Sequence, residues 1–489
     1  MDSINEKTPL IPTTEDVSRK SRTRRVHYCL CFITILHYVT TIIGSLVMSE
    51  YTFQYISDQE GESSQLNSRH ASSGENCSSH QNEAQHKSAQ WNAYYEYVEY
   101  VPALLVVIFG GVMSDYYGRK LFIVLPVFGT FLQYFATLVV LQYNLHIKYF
   151  FVGCVIAGIT GTHYTLNVAL CGTIADVSNY DNSRTFKIAL LHLYAGLGSV
   201  VSQLSTGYMI KYLGFTMPCL VAVAFAFLNL LVGLYIPETL EKSKQKPSKD
   251  SFYQKLGRFF AFYTSSSNLR DGKVWQFVLC LLALFVIISP YTTKSSMDIL
   301  YFLGQPFCFT SEEIGWYNSL NGLTIIVSVF LLKLLHFCLN DEIIAILSCL
   351  SGIACFCVEG LASGWWMLGV AIGCGMIALN SLPVIKGIMS RLVNETEQGA
   401  LFANVYVLET LCRLFGSTIF FNIYAETQYF MRGFVYFVYA GFIAMGGISM
   451  MPNRVVPSNI RTETGMSIVS SALLVAIDWV IEGIHQRSE

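Results

Sequence analysis

Long apolar segments follow one another along most of this chain, and they constrain its fold more than any other feature. Hydrophobic residues make up 53% of the 489 residues and charged residues only 13%, whereas about 25% of the residues in a soluble protein are charged. A helix needs about 20 apolar residues to cross a bilayer. We therefore predict an all-α membrane protein with twelve transmembrane helices. The predicted spans are 26–48, 92–114, 120–142, 149–175, 186–210, 213–235, 274–303, 314–338, 342–362, 366–392, 399–423 and 430–450.

A polar segment divides the predicted spans into two sets of six. Residues 236–273 are rich in lysine and serine. Such a linker is expected between two six-helix bundles that are related by a pseudo-two-fold axis and hold a substrate between them. The predicted parts are a tail at 1–25, a first bundle at 26–235 with an outer loop at 49–91, the linker at 236–273, a second bundle at 274–452, and a tail at 453–489.

The C-terminal tail contains one further apolar stretch, between Gly465 and Ile484. A thirteenth span there would place the C-terminus on the outer side of the membrane. Asp478 and Glu482 are spaced four residues apart and share one helical face. This acidic face favours a helix that lies along the membrane surface.

Lysine and arginine are concentrated on one side of the predicted spans. That side includes the N-terminal tail, the loop between spans two and three, the loop before span five with Arg184, and the linker. The outer loop, in contrast, holds only Arg69 and Lys87. The positive-inside rule therefore places both termini and the linker in the cytosol. The membrane is either the plasma membrane or an endosomal or lysosomal membrane. A solvated face or a nucleic-acid contact is the alternative interpretation of basic runs, but beside membrane spans we predict no nucleic-acid partner.

A short charged turn joins predicted spans two and three. Gly110 allows two helices to approach closely, and Gly118 permits a turn with positive φ. Asp115 can pair with Arg119 or with a helix end, and Lys120 follows directly. The pattern resembles the cytoplasmic loop between helices two and three of the major facilitator superfamily. This resemblance implies a major facilitator fold and a secondary transporter.

Span seven carries the most informative polar residues at membrane depth. Pro290 interrupts an otherwise apolar helix, and the hydroxyl groups that follow, including Tyr291, can satisfy the carbonyl that proline frees. Lys294 and Asp298 are spaced i, i+4 and can pair on one face. Because ionisable groups are costly inside a membrane, we predict a role in gating or substrate binding. A purely structural pair is the alternative.

Span ten carries a second proline and a second lysine. Asn380 precedes Pro383, which is expected to bend the helix, and Lys386 follows one turn later. Lys386 has no partner nearby in sequence, so it faces the cavity or extends to the cytosolic interface. We predict that Lys294 and Lys386 are the two deep cations available to an anionic substrate.

Other polar groups lie within spans four, five and eleven. His192 in span five titrates near physiological pH, although a lone histidine is more often a satisfied core residue. Tyr164 and Asn167 in span four are candidate substrate contacts. Glu409 and Arg413 in span eleven are spaced i, i+4, and we interpret them as a structural pair.

Two of the fourteen cysteines lie outside the predicted spans, on the outer side. Cys77 is in the first outer loop and Cys308 is in the outer loop after span seven. Both face an oxidising compartment, so we predict a disulfide between them, with two free thiols as the alternative. Asn76 begins an Asn-Cys-Ser sequon in the same loop and is a candidate glycosylation site.

The N-terminal tail contains a short sorting pattern. Glu6, Leu10 and Ile11 have the spacing of an acidic dileucine signal. The pattern resembles an acidic dileucine signal of the kind that clathrin adaptors recognise. Such signals direct proteins to endosomes or lysosomes. A chance match is the alternative, because the pattern covers only six residues.

Two segments resemble solute carrier family 46 within the superfamily. Residues 394–402, Asn-Glu-Thr-Glu-Gln-Gly-Ala-Leu-Phe, resemble that family's loop before span eleven. Ala-Asp-Val at 175–177 and the segment from Arg184 to Leu191 resemble its junction of spans four and five. The paired outer cysteines fit as well.

The resemblance to solute carrier family 46 implies proton-coupled import of an organic anion, such as a folate-like compound or a muropeptide. The family's basic residue in span ten maps onto Lys386, and its acidic positions at the cytosolic helix ends map onto Asp115 and Asp176. Where the family's folate carrier has a glutamate in span five, this chain has His192.

Two functional hypotheses arise from the sequence. The first is an alternating-access transporter of an organic anion with protons as the coupling ion. The second is a membrane receptor or scaffold that has a transporter fold but does not transport. We do not predict an enzyme, a cofactor or a bound metal, because the chain has no phosphate loop, nucleophile elbow or His-Glu-x-x-His motif in a suitable setting.

Overall fold

A computed structural model describes residues 14–67, 80–177, 183–239, 274–304, 307–392 and 398–450. In these ranges the chain is helical and contains no β-strand. The helices are α1 (Thr14–Asn67), α2 (His80–Tyr117), α3 (Arg119–Gln142), α4 (Phe150–Thr160), α5 (Thr162–Val177), α6 (Ser183–Leu213), α7 (Thr216–Tyr235), α8 (Val274–Leu303), α9 (Ser311–Leu335), α10 (Asp341–Gly360), α11 (Trp365–Cys374), α12 (Ser381–Leu392), α13 (Gln398–Thr427) and α14 (Phe434–Ser449).

These helices form twelve crossings, because two crossings are interrupted. Helices α4 and α5 form one crossing, which is broken at Gly161, where φ is +99°. Helices α11 and α12 form another, which is broken by turns and a short 3₁₀ helix at Ala378–Asn380. The predicted all-α membrane fold with twelve transmembrane helices in two six-helix bundles is thereby confirmed. The first half of the protein comprises α1–α7, and the second half comprises α8–α14.

The prolines act differently from the prediction. Helix α8 continues without interruption through Pro290. The hydroxyl groups of Thr292 and Thr293 hydrogen-bond the carbonyl of Ser289, at 2.8 and 3.3 Å. Ser289 directly precedes the proline, whereas the carbonyl that loses its backbone donor to Pro290 is that of Val286. In span ten the helix breaks before Pro383, at the glycine-containing turn that precedes Asn380. Proline at position three of α12 is compatible with a helix start.

Eight of the described helical segments are long and apolar enough to cross a membrane on composition alone. Helices α2 and α13 are long enough, but they carry charged side chains that face the interior of the protein. Helix α14 is apolar but only 16 residues long. Helices α2 and α13 can thus belong to the membrane domain, because their charged side chains face one another rather than the lipid.

The first two helices extend well beyond their predicted spans. Helix α1 continues to Asn67 and α2 begins at His80, so much of the segment predicted as an outer loop is helical. Tyr51 on this extension packs its ring edge-on against Phe150 and Phe215, at centroid distances of 5.9 and 5.5 Å. Aromatic packing therefore stabilises a helical segment whose polar composition suggested a loop.

The two halves are in contact mainly along two helix pairs. Helix α6 packs along α9, and α2 packs along α13. Small residues bring the first pair together: a Cβ atom on Gly315 would lie only 2.8 Å from the carbonyl oxygen of Gln203. Helix α5 also contacts α13, and α1 also contacts α8. A cavity lies between the halves, among these helices.

Candidate functional site

A cavity of about 540 Å³ lies between the two halves. This volume is within the range of about 300–1,000 Å³ that is usual for small-molecule sites. Residues of α1–α6 line it from the first half, and residues of α8–α11, of α13 and of the turn before α12 line it from the second. The lining combines aromatic rings and hydroxyl groups with ionisable side chains, among them His37, Glu96, Glu99, Lys294, Asp298 and Arg413.

Lys294 and Asp298 form the ion pair that the sequence predicts. Lys294 Nζ lies 2.6 Å from Asp298 Oδ2 within α8, and Tyr436 donates its hydroxyl proton to Asp298 Oδ1 at 2.7 Å. The pair lies in the cavity wall. The i, i+4 spacing places both side chains on the face of α8 that points to the interior.

A second carboxylate completes this cluster, and sequence reasoning missed it. Glu359, the next-to-last residue of α10, lies with Oε1 2.6 Å from Lys294 Nζ. Its side chain is fully buried, and Tyr317 donates a hydrogen bond to the same oxygen. Among the described residues, Glu359 Oε2 has no hydrogen-bond partner. The ammonium group of Lys294 therefore forms ion pairs with two carboxylates.

Aromatic rings enclose the ammonium group of Lys294. Its Nζ lies 5.6 Å from the ring centroid of Tyr317, 5.8 Å from that of Phe356 and 5.6 Å from that of Tyr436. The faces of such rings attract cations. The rings also exclude water, so the charges interact more strongly with one another than they would in solution.

A second ion-pair network joins the two halves. Arg413 on α13 donates through Nη2 to Glu96 Oε1 on α2 and, at 3.1 Å, to the hydroxyl of Ser296 on α8. Its guanidinium carbon lies 5.5 Å from the ring centroid of Tyr100. Next to this pair, Glu99 Oε2 accepts a hydrogen bond of 2.9 Å from the side-chain amide of Gln133.

The predicted pairing of Glu409 with Arg413 along span eleven is wrong. Arg413 pairs with Glu96 across the halves, while Glu409 Oε1 lies 2.6 Å from Nζ of Lys386 on α12. Lys386 therefore has a partner, which the sequence did not suggest, and its Nζ also lies 5.6 Å from the ring of Tyr406. Lys386 is not among the residues that line the cavity. Arg413 is a deep cation that the sequence prediction did not count.

The other predicted substrate contacts differ in position. Tyr291 lines the cavity, and among the described residues its hydroxyl has no hydrogen-bond partner. Tyr164 is buried behind the wall, with its ring 5.9 Å from that of Tyr100. Asn167 contacts the hydroxyl of Tyr38 at 3.5 Å, and Asn380 is buried at the start of α12. Neither asparagine lines the cavity.

Two histidines lie near the cavity in the first half. His37 on α1 and His163 on α5 both contribute to its lining. Both ring nitrogens of His37 are buried and lack a hydrogen-bond partner among the described residues. The side chain of His192, the predicted titratable group of span five, lies outside the described part of the structure.

The charged turn between α2 and α3 has a defined geometry. Gly118 has a φ of +101°, as expected for a residue that needs the left-handed region. Arg119 Nε lies 3.1 Å from Asp176 Oδ2 at the end of α5, and Arg119 Nη1 donates to the hydroxyl of Ser114 at 2.7 Å. Gly110 packs closely against Thr165 of α5. This turn therefore joins three helix ends of the first half.

Glu238 was not predicted as part of this turn. Its carboxylate accepts hydrogen bonds from the backbone N–H groups of Arg119 and Lys120, at 3.0 and 3.2 Å, and so caps the first turn of α3. The Lys120 ammonium group donates to the carbonyl of Leu234 at 2.6 Å. The available sequence signal was Pro237, which ends span six and is followed directly by this acidic residue.

At the opposite end, where α1 is followed by α2, polar contacts join the halves. Gln85 donates its side-chain amide to the carbonyl of Leu300 at 3.0 Å. Ser311 donates to the buried carboxylate of Glu50, and Lys211 pairs with Glu312 near the surface. These contacts join the halves at the end of the protein that carries the first loop.

Several predicted features lie outside the described residues. These are Cys77, Asn76, Glu6, Leu10 and Ile11, the linker after residue 239 and the tail after residue 450, together with the side chains of Asp115 and Arg184. Cys308 is described; it is exposed and has a positive φ of 48°. The disulfide, the glycosylation site, the sorting signal and the exact bounds of the parts of the chain therefore stay predictions.

Comparisons with known proteins agree with this architecture. The chain is similar to the proton-coupled folate transporter of Rattus norvegicus, with 28% identity over 74% of this chain and 78% of the relative. It is also similar to the lysosomal proton-coupled steroid conjugate and bile acid symporter SLC46A3 of Homo sapiens, with 26% identity over 76% of this chain and 81% of the relative.

A solved structure and a family profile extend the comparison. The crystal structure of the human organic anion transporter MFSD10 (TETRAN) superposes with a TM-score of 0.65 at 15% identity, covering 88% of this chain and 99% of that one. This likeness concerns the fold alone. The profile of the Major Facilitator Superfamily matches residues 89–417. Because that match covers more than half of the sequence, the chain belongs to the Major Facilitator Superfamily.

Proposed function

We propose that this protein is a proton-coupled secondary transporter that moves an organic anion across a membrane by alternating access. The observation that carries this proposal is the cluster of Lys294, Asp298 and Glu359 beside the cavity. The relatives are named as carriers of folate and of steroid conjugates and bile acids, and these names support the anionic substrate class.

The charge count of the cluster supports proton coupling. With both carboxylates ionised, one negative charge has no counter-ion, and an uncompensated charge in a membrane-embedded site is costly. A proton on one carboxylate removes that charge. Lys294 therefore favours one ionised carboxylate, and the second carboxylate is the group that can gain or lose a proton during transport.

The position of Glu359 suggests the side from which protons arrive. It lies at the last turn of α10, near the end of the protein that carries the first loop. The positive-inside rule predicts that this end faces the outside or a vesicle lumen. We therefore propose that protons enter from the outer or luminal side together with the substrate and that both are released into the cytosol.

Several further features complete the proposal, each from a sequence pattern. Both termini and the linker are cytosolic, and the membrane is the plasma membrane or an endosomal or lysosomal membrane. A Cys77–Cys308 disulfide joins the halves on the outer side, and Asn76 carries a glycan. A clathrin adaptor recognises the tail through Leu10 and Ile11.

Uptake into liposomes tests the proposed function. Purified protein is reconstituted and offered radiolabelled folates, muropeptides and steroid conjugates, with the outside buffer at pH 5.5 or 7.4. We expect at least one anion to accumulate faster at pH 5.5. Glu359→Gln should reduce this pH dependence because the replacement keeps the size of the side chain but cannot carry the proton.

Glu342→Gln is the matched control for this variant. Glu342 is an exposed acid in the first turn of the same helix, α10, and the chemical change is identical. It should leave the pH dependence as in the wild type. Failure of the wild-type protein to take up any compound of the panel under either gradient would contradict the proposal and favour a non-transporting receptor or scaffold.

A further inference from the structure

The network around Arg413 has the features of an anion subsite that is occupied by a resident carboxylate. We propose that Arg413 binds the oxyanion group of the substrate. When no substrate is bound, the carboxylate of Glu96 occupies the position of that oxyanion next to Arg413. This inference rests on the proposed function, because it assumes an anionic substrate. It assigns that anion to the contact between the halves rather than to the lysines of α8 and α12.

Arg413 has unused capacity for hydrogen bonds. A guanidinium group has five N–H donors in a planar fork that matches two oxygens of a carboxylate or sulfate. Here the hydrogen bonds to Glu96 and Ser296 both start from Nη2. Nε of Arg413 and Oε2 of Glu96 are buried, and neither has a partner among the described residues. Arg413 and Glu96 are thus joined through one nitrogen and one oxygen, although a guanidinium and a carboxylate can form two parallel hydrogen bonds.

The other cations near the cavity are less suited to an incoming anion. Lys294 already contacts two carboxylates, each at 2.6 Å. Lys386 contacts Glu409 and does not line the cavity. Arg413 lines the cavity, and the ring of Tyr100 supports its guanidinium group at 5.5 Å. Of these three cations, Arg413 therefore combines a position in the cavity wall with a contact to only one carboxylate oxygen in the described ranges.

Displacement of Glu96 needs a proton to keep the charge balanced. In the proposed step, a proton from the aqueous phase adds to the Glu96 carboxylate, the Arg413–Glu96 contact opens, and a substrate oxygen accepts the guanidinium N–H groups. At this site one positive charge is thus added for each negative charge, separately from the proton proposed for the Lys294 cluster. The titratable groups that face this site from the packed helices are Glu99, Tyr100, Tyr134, Cys154, His163 and Tyr164.

Among those neighbours, Glu99 is the one other carboxylate, and the Gln133 amide already hydrogen-bonds it. Glu96 and Arg413 belong to different halves, so exchange of Glu96 for substrate also removes a polar contact between α2 and α13. Substrate binding and rearrangement of the halves are then linked at the same residue.

Ligand binding to the purified full-length protein tests this inference without transport. The probes are estrone sulfate and estrone, which differ by one sulfate group. Because the sulfate is ionised at both pH 5.5 and pH 7.4, any pH dependence of its binding comes from the protein. We expect Arg413→Gln to weaken estrone sulfate binding by roughly ten- to a hundredfold, as loss of a charge-assisted contact does, and to leave estrone binding unchanged.

Two further variants make the test specific. Arg413→Lys should retain part of the affinity, because it keeps the charge but loses the fork. Glu96→Gln should bind estrone sulfate equally well at both pH values, since no proton is then needed to release Arg413. The controls are Arg24→Gln, which changes an exposed arginine, and Glu426→Gln, which changes a half-exposed glutamate on α13 itself.

The outcomes separate this inference from the proposed function. If Arg413→Gln binds the sulfate as the wild type does, or loses estrone to the same degree, Arg413 is not the anion subsite. If that variant does not fold, Glu96→Gln still decides, because a wild-type pH dependence in it overturns the displacement step. Absence of wild-type binding of estrone sulfate at both pH values also overturns the proposal. If the variants show the expected binding pattern but the wild-type protein takes up nothing into liposomes, the anion subsite is supported and the transport function is refuted.

Discussion

The cluster of Lys294, Asp298 and Glu359 predicts unequal effects of two substitutions on stability. Replacing Lys294 with methionine keeps most of the length of the side chain but leaves two buried carboxylates without a cation. Replacing Glu359 with glutamine leaves a neutral pair of Lys294 and Asp298. The distances allow the two changes to be compared.

Each carboxylate lies 2.6 Å from the ammonium nitrogen, which corresponds to roughly 6 kcal/mol of attraction at an effective dielectric constant of about 20. The two carboxylate oxygens can be no more than about 5 Å apart, so they repel each other by roughly 3 kcal/mol or more on the same scale. Adding Glu359 to the pair therefore gains at most roughly 3 kcal/mol, and the desolvation of its charge, several kcal/mol, offsets that gain.

From this balance we expect Glu359→Gln to change the free energy of unfolding by less than about 2 kcal/mol. Lys294→Met loses both attractions and keeps the repulsion, so it should destabilise the protein by about 3–5 kcal/mol, as removal of one partner from a buried ion pair does. In the Lys294→Met background, Glu359→Gln should restore part of the stability, because it removes one of the two orphaned carboxylates.

Thermal unfolding of the purified protein in detergent measures these effects, with the two single variants and the double variant forming a cycle. Glu342→Gln on the surface of α10 is the control and should unfold as the wild type does. The reasoning is refuted if Lys294→Met is as stable as Glu359→Gln, or if the double variant is less stable than Lys294→Met alone.

Three further predictions concern other parts of the chain. Lys386→Ala should leave estrone sulfate affinity within about threefold of the wild type, because Lys386 pairs with Glu409 outside the cavity lining; a tenfold loss in equilibrium binding would return Lys386 to the site. Mass mapping under non-reducing conditions should find one linked peptide that contains Cys77 and Cys308, and two separately alkylated peptides from folded protein would exclude the bridge. Changing Leu10 and Ile11 to Ala should raise the surface fraction in cells, as measured by surface biotinylation, and an unchanged distribution would identify the pattern as a chance match.

The sequence predicts the fold well because membrane helices leave a strong local signal. Apolar length locates the crossings, and the turn around Gly118 and Arg119 is recognisable from the spacing of its glycines and charged residues. The pair of Lys294 and Asp298 was also accessible, because its two members lie one turn apart on a single helix. Both the crossings and this ion pair are determined by residues that lie close together in the sequence.

The missed features depend on contacts between helices that are distant in sequence. Glu359 is the one acidic residue between Glu342 and Glu395, and its place at the end of a predicted span resembles that of an ordinary interfacial residue. Arg413 had a plausible partner one turn away, yet its partner is Glu96, on a helix of the other half. Spacing along the sequence cannot distinguish an ion pair within one helix from an ion pair between two helices, because a carboxylate in either place can neutralise the arginine.

The contacts at the first-loop end determine what alternating access requires of this chain. Opening the cavity there separates Gln85 from the carbonyl of Leu300, a hydrogen bond worth about 0.5–1.5 kcal/mol, and Ser311 from Glu50. The pair of Lys211 and Glu312 is exposed to solvent and adds little. Reversing a two-state population from 1:99 to 99:1 takes about 5.5 kcal/mol of differential binding. A few contacts of this strength are within the reach of one substrate and the protons that bind with it, provided that these bind more tightly to one arrangement of the halves. The proposed exchange of Glu96 for a substrate oxyanion at Arg413 would supply such a difference, because it replaces a contact between α2 and α13 with a contact to the substrate.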